Sequence, residues 1–349
     1  MPIGVGLIGL GMAIAPHMMS LRELQESGRV RIIGGHAPSA ARRDAFTARW
    51  RAPAFAEQAE LLAAPGLDLV LVLTPPGAHL PVAQAAIAAG KHILVEKPIE
   101  LTVARGEALA AAAEAAGVRC GVCLQHRFRP AALRLKATLA SGALGKPLSA
   151  SASIRWWRDD AYFAQPGRGT MARDGGGVLL TQAIHTLDLL LHLMGPVERA
   201  AAFARTSLLR AHIDTEDTVA ACLRFANGAI GALDATTTAE PGFPERIEIA
   251  GTGGSAMLVA ERLELHPADT PPEIVDHGSA GGGGADPMAF DHGPHRALLA
   301  EMLDAIAAGR PPGNSGASAL AVQRLIEALL RGAQGGSDRG GDQGRFVTL

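Results

Sequence analysis

From Ile3 onward the chain repeats one pattern: a short β-branched or aliphatic run, a turn marked by glycine or proline, then an alanine- and leucine-rich amphipathic stretch. A chain written this way has few folded options, because strands separated by helical crossovers pair in parallel and need cover on both faces. Strands are expected at residues 3–8, 30–35, 67–73, 92–95 and 118–124, and helices near 13–27, 40–49, 78–89 and 104–116. Several of these helices are closed by a glycine, such as Gly28, Gly90 or Gly117. The pattern predicts a doubly wound α/β domain of the Rossmann type over residues 1–125.

At 349 residues the chain exceeds one ordinary core, so a second domain is expected over 126–349. There the rhythm changes. A helix near 128–139 and a strand over 147–158 are followed, after the glycines 175–177, by strand-like runs at 197–205, 218–225, 229–238, 246–250 and 256–259. Turn signals such as Asn227-Gly228 join them, which predicts an α+β domain on a large, mainly antiparallel open sheet. The glycine-rich stretch 278–287 is expected to be a mobile loop, and two helices near 295–308 and 318–331 follow it.

Composition narrows the function classes. With 48% apolar residues and a net charge of -2, the chain has ample core and no basic excess for nucleic acid. Its first residues lack the basic start of an export signal, and the apolar stretch 178–194 is interrupted by Thr181, Gln182, His185, Asp188 and His192. A cytoplasmic protein with no membrane partner is expected. Cys120 and Cys123 form a C-x-x-C, but in a strand residues three apart face opposite ways, so packing is the expected role.

The run Ile3-Gly4-Val5-Gly6-Leu7-Ile8-Gly9-Leu10-Gly11 is a strand entering a glycine turn that opens a helix. Gly9 permits the tight turn and Gly11 lets the backbone approach a pyrophosphate, which then sits at the positive end of the helix. A third glycine is replaced by Ile14. The second strand should end in an acid for the adenosine ribose of NAD; instead the chain reads Gly35-His36-Ala37-Pro38-Ser39-Ala40-Ala41-Arg42-Arg43. The missing carboxylate leaves room for a 2′-phosphate beside His36, with Ser39 and Arg42 or Arg43 as donors. The cofactor is therefore NADP or NAD, with a lean to NADP.

Two further motifs, Thr74-Pro75-Pro76-Gly77-Ala78-His79 and Glu96-Lys97-Pro98, together with Asp174-Gly175-Gly176-Gly177, His185-x-x-Asp188 and Gly309-Arg310-Pro311-Pro312, closely resemble the Gfo/Idh/MocA oxidoreductase family. The resemblance spans nearly the whole chain. It implies that Lys97 contacts the reacting hydroxyl and the nicotinamide ribose, and that Gly9, Gly11, Met12, Ala13, Thr74, Pro75, His79 and Glu96 surround the cofactor. It further implies a homodimer or homotetramer joined through the C-terminal sheet. Independently, Lys97 follows a parallel strand at its carboxyl end, where open α/β sheets bind ligands.

Thr181, His185 and Asp188 follow i, i+4, i+7 spacing and are expected on one helical face. Many members of the family carry an aspartate where this chain has Thr181. A hydroxyl is no carboxylate base near neutral pH, so proton transfer falls to Lys97 and His185. Arg127 or His126 is expected to line the substrate cleft, and Arg155, Trp157 and Arg158 are candidates beside it. Strand alternation puts Arg155 and Trp157 on one face and Trp156 and Arg158 on the other, so that only one pair can face substrate. No metal is expected. The sequence thus predicts an NAD(P)-dependent dehydrogenase moving hydride between nicotinamide and a hydroxyl or carbonyl carbon of a sugar-like or cyclic-alcohol substrate. An NAD-dependent glycoside hydrolase using transient oxidation and a non-catalytic dinucleotide sensor are the alternatives.

Overall fold

The computed structural model of the chain describes residues 1–207, 213–278, 291–334 and 347–349. Contacts divide it into two compact units: Met1–Gln125 with His292–Leu320, and His126–Asp291 with Ala321–Leu349. The sequence reading assigned everything after residue 125 to the second domain, whereas residues 292–320 pack with the first unit.

In the first unit the elements run β1 (Ile3–Ile8), α1 (Ile14–Glu26), β2 (Val30–His36), α2 (Ala40–Trp50), β3 (Ala54–Phe55), α3 (Gln58–Leu62), β4 (Leu69–Val72), α4 (His79–Ala88), β5 (His92–Val95), α5 (Val103–Ala115) and β6 (Cys120–Val122). The six strands are ordered β3-β2-β1-β4-β5-β6 and pair in parallel throughout. Order reverses between β1 and β4, the crevice where doubly wound sheets take a dinucleotide. Val5, Leu7, Leu69, Leu71, Ile93 and Leu94 are fully buried, which explains why the central strands read as unbroken apolar runs.

The second unit begins with α6 (Pro130–Ala140), β7 (Pro147–Arg155), α7 (Asp160–Phe163), α8 (Met171–Asp174) and α9 (Ile184–Met194), then β8 (Val197–Arg205), β9 (Thr218–Phe225), β10 (Ile230–Thr236), β11 (Arg246–Gly251), β12 (Gly254–Val259), β13 (Arg262–Pro267) and β14 (Glu273–Asp276). Next, α10 (Gly293–Ala307) returns to the first unit, α11 (Gly316–Gln334) starts there and ends in the second, and β15 (Val347–Thr348) closes the chain. The nine strands are ordered β14-β13-β12-β11-β7-β10-β9-β8-β15, antiparallel except for β7 beside β10. Helix α9 lies against β7, while α6 lies against β12 and β13, so one sheet face is covered. Along β9 the alternation is complete, with Val219, Ala221, Leu223 and Phe225 inward and Cys222 and Arg224 outward.

Among the described residues one helical run, Met171–Met194, is long and apolar enough to cross a membrane, and 83% of its most apolar window is buried within the protein. The loop expected over 278–287 lies, from residue 279 on, outside the described residues.

Candidate active site

The β1–α1 turn has the form a pyrophosphate requires. Gly9 adopts φ +102°, and a Cβ there would stand 2.6 Å from the Leu73 carbonyl carbon and oxygen, so only glycine fits. At Gly11 the reverse holds: a Cβ would meet nothing within 4 Å, which leaves open space over the backbone. No side-chain hydrogen bond caps α1, so the positive end of the helix faces the turn without a capping side chain. Met12 is exposed and Ala13 is the residue from which the helix starts. These features fit a dinucleotide.

At the end of β2, His36 is buried with Nδ1 3.2 Å from the Phe55 carbonyl. The Ser39 hydroxyl caps α2 by accepting from the Arg42 amide, and Arg43 donates to the carbonyls of Ala37 and Pro38 at 2.7 and 2.8 Å. Arg42 itself is exposed on the first turn of α2.

The residues around Lys97 are held from two sides. His79 is fully buried, with Nε2 2.8 Å from the Thr74 carbonyl and Nδ1 3.0 Å from that of Pro98, tying the loop after β4 to the loop after β5. Burial pushes its pKa down despite the carbonyls of Thr74 and Ile99, and a neutral ring donates to only one acceptor at a time. On the other side, the Glu96 carboxylate accepts from the Lys97 amide at 3.0 Å and meets His17 Nε2 at 2.7 Å. Burial alone would raise the Glu96 pKa. The His17 hydrogen bond and the nearby charges of His17, His295 and Lys97 instead bring it down to about 2. These polar atoms of His79 and Glu96, both expected beside the cofactor, are engaged by the protein itself.

His17, Glu96 and His295 place potential ligand atoms within 4.8 Å of one another, a cluster that local sequence reasoning did not find. Two ligands of one tetrahedral zinc, each about 2.0–2.1 Å from the ion, stand roughly 3.3 Å apart. The 2.7 Å between His17 and Glu96 is hydrogen-bond spacing. His17 and Glu96 are hydrogen-bonded, and the His295 ring stands edge to face against His17.

In the second unit, residues Leu179–Ala183 wind as a π-helical turn ahead of α9. This corrects the expected i, i+4, i+7 face, which presumed uninterrupted α-helix. Glu216, missed in the sequence, sits over the turn: its carboxylate accepts from the amides of Gly177 at 3.0 Å and Leu179 at 3.1 Å. Gly177 permits this approach, since a Cβ there would lie 1.8 Å from the Glu216 carbonyl oxygen. Burial raises the Glu216 pKa against those amide bonds.

The Thr181 hydroxyl lies 2.7 Å from the Gly177 carbonyl and also beside the Gln182 Oε1, its one proton serving one acceptor at a time, and the Gln182 amide nitrogen reaches the Tyr162 hydroxyl at 3.1 Å. Together with Arg168, Asp174, Thr215 and Glu216 these side chains line a polar pocket. Arg168 stacks over Tyr162 at 4.4 Å, and Arg158 lies between Tyr162 and Trp156 at 5.3 and 5.1 Å.

His185 is buried and stacked on His126, with ring centroids 4.8 Å apart. Arg127 and Asp188 form a buried pair, with Nε to Oδ2 at 2.6 Å and a second contact from the other guanidinium nitrogen. Burial raises the Asp188 pKa, while the Arg127 hydrogen bond and charge oppose the shift. The Arg127 guanidinium, expected at the substrate, is held by Asp188 beneath the surface. Arg158 is likewise only 2% exposed, and Arg155 is exposed but paired with Asp234. Trp157 is half-buried and bridged to Thr238.

Comparison with known proteins agrees with this architecture. Residues 3–124 match the oxidoreductase family with an NAD-binding Rossmann fold, and residues 132–257 match the GFO/IDH/MocA C-terminal domain. The chain belongs to the Gfo/Idh/MocA oxidoreductase family. Its relatives include D-apiose dehydrogenase of Paraburkholderia graminis, 29% identical over 95% of this chain and 87% of that enzyme. Inositol 2-dehydrogenase 1 of Saccharopolyspora erythraea is 26% identical over 97% of this chain and 96% of the relative. The WlbA dehydrogenase of Bordetella pertussis, solved with NADH and UDP-GlcNAcA, superposes with a TM-score of 0.84 at 25% identity, covering 100% of this chain and 99% of that one. The chain is thus a nicotinamide-dependent dehydrogenase acting on alcohol groups.

Proposed function

We propose that the chain oxidises a secondary alcohol of a sugar-like or cyclic-polyol substrate, with Lys97 and His185 carrying the proton. The observation that carries this reading is the mounting of Lys97: it follows β5 on a backbone gripped by Glu96 and His79, in the sheet that bears the Gly9–Gly11 turn. Gly9, Gly11, Met12 and Ala13 would hold the dinucleotide, with Thr74 and Pro75 beside it and Lys97 at the ribose and the reacting hydroxyl. When bound, the nicotinamide supplies the hydride acceptor.

The lysine holds or relays the hydroxyl proton. Thr181 offers a hydroxyl where a carboxylate base would serve, and Glu216 is engaged in capping the π-turn, so the imidazole of His185 takes the base role. In this reading the hydroxyl groups of the substrate meet the polar side chains of Tyr162, Thr181 and Gln182. Trp157 and the pocket arginines flank it in this reading. The sugar and inositol dehydrogenases among the relatives point the same way.

The lean to NADP rests on β2 ending in His36 rather than an acid, with Arg42 exposed nearby. A homodimer or homotetramer is supported by the open sheet face, where Phe203 and Ile230 are 53% and 66% exposed.

The test is direct. Binding titrations with NADH and NADPH, followed by a panel of free sugars, anhydrosugars and inositols supplied with NAD+ or NADP+, should give cofactor reduction that Lys97→Ala abolishes while cofactor binding persists. Full turnover in Lys97→Ala would remove the mechanism, and light scattering at the mass of one chain would remove the oligomer.

A further inference from the structure

Within the first unit, three elements distant in sequence meet at one carboxylate. His17 projects from α1 and is 0% exposed; His295 projects from α10 and is 5% exposed; Glu96 follows β5. The His17 and His295 rings meet edge to face with centroids 5.3 Å apart. Glu96 receives hydrogen bonds from His17 Nε2, from the Lys97 amide and from the Cys123 thiol. Its own amide donates to the Val72 carbonyl at 2.9 Å, while the Cys123 amide donates to Val95 at 2.8 Å. Glu96 is therefore a hub: its amide ties β5 to β4, and its carboxylate ties the end of β5 to α1 and to Cys123 after β6.

Helix α10 is docked onto α1 with some precision of its own. His292 Nε2 meets Glu23 at 2.7 Å, Arg296 pairs with the same carboxylate, and Arg29 pairs with Asp304 and donates to the Ala300 carbonyl at 3.2 Å. The Glu23 contacts lie on α1 and those of Arg29 just beyond its end, and between α1 and α10 the His295 ring stands against His17. A core that needed only bulk at this point would be served by leucine. Two buried imidazoles ranged toward one carboxylate carry desolvation penalties that simple packing avoids.

We propose that His17 and His295 are positioning residues for Lys97. Acting through Glu96, they fix the backbone on which the lysine is mounted, so α10 is a working part of the nicotinamide half of the enzyme. This rests on the reading of Lys97 given above. The charged and titratable groups facing Glu96 are His17 from α1, His295 from α10, the neighbouring Lys97, Cys123 after β6 and, at longer range, His79 on α4. Loss of either imidazole leaves the carboxylate less compensated. Its field then favours the charged lysine, and the segment bearing the lysine loosens.

The experiment follows Lys97 by two readouts. The first is the rate of Lys97 modification by trinitrobenzenesulfonate against pH, read on its peptide by mass spectrometry, with and without NADH. The second is turnover on the alcohol that responds in the panel, expressed per NADH-binding site. His17→Leu and His295→Leu are expected to move the labelling midpoint upward by about half a unit or more. They should also lower kcat by on the order of 10- to 100-fold, as small displacements of a reacting group do. His17→Gln, which keeps a donor near the position of Nε2, should restore most of both. Leu21→Ala, which opens a cavity in the buried face of α1 but keeps His17, Glu96 and His295, should lower the melting temperature and leave the midpoint in place.

A midpoint unmoved in both leucine variants overturns the proposal, and so does an equal movement in Leu21→Ala. If His17→Leu does not fold, His295→Leu with His17→Gln decides the same point. Turnover retained by Lys97→Ala would instead remove the catalytic reading, while the labelling arm still reports whether the histidines position the lysine.

Discussion

Replacing one partner of the Arg127–Asp188 pair should be far more damaging than replacing both. The two side chains are 9% and 1% exposed, and their two contacts run in parallel between guanidinium and carboxylate. Arg127→Met strands a buried carboxylate and Asp188→Leu strands a buried guanidinium, and each is expected to cost about 3–5 kcal/mol. Independent sites would sum to roughly 6–10 kcal/mol in the double variant. Two apolar side chains of similar volume remove the stranded charge, so the double variant should cost no more than about 1–2 kcal/mol. Urea unfolding followed by tryptophan fluorescence in a Trp50→Phe background reads the second unit alone, because Trp156 and Trp157 both belong to it. A double variant as unstable as the sum of the singles would refute the pairing. So would an Arg127→Met variant that keeps its stability and loses only substrate affinity, the behaviour expected had this arginine faced the substrate.

The two glycines of the first turn should separate cleanly: Gly9→Ala, forced against the Leu73 backbone, should destabilise the fold by about 1–3 kcal/mol, whereas Gly11→Val should keep the melting temperature and raise the cofactor Kd at least about tenfold by filling the phosphate position. Glu96, depressed from 4.5 to about 2, supplies stability above its unfolded value that is lost as pH falls toward 2, in all roughly 3 kcal/mol. The stability difference between wild type and Glu96→Gln should therefore be constant above pH 5 and shrink below it, and a difference flat to pH 3 would contradict this. His192 is lowered to about 4 by burial and by the charges of Arg127 and Lys136. Its unfolded form binds the proton first, so stability should fall as pH drops from 6.5 toward 4, and His192→Asn should flatten that slope in thermal melts.

The sheet of the first unit was legible because its strands are buried on both faces and bounded by glycine. Residues 3–8 and 92–95 were assigned as they occur. The two-residue β3 carried too little pattern, and β13 was missed although Arg262-Leu263-Glu264-Leu265 alternates, since its polar face resembles a loop. At the site, Gly9, Gly11 and Lys97 were legible because their chemistry depends on neighbours in sequence. His17 reads as an ordinary helical residue until Glu96, 79 positions away, is brought to it, and Arg127 reads as a free cation until Asp188 arrives from 61 positions on. The π-turn at 179–183 depends on Glu216, whose carboxylate holds two amides of another segment. Helical spacing alone gave no sign of it.

The return of α10 to the first unit bears on how this scaffold can be recombined. A hybrid made by one crossover near residue 125 would set a foreign α1 against the native α10, mismatching Glu23 with His292 and Arg296, and Arg29 with Asp304. Exchanging nucleotide specificity between relatives therefore calls for two transplanted segments, 1–125 and 292–320, moved as a single inheritance unit.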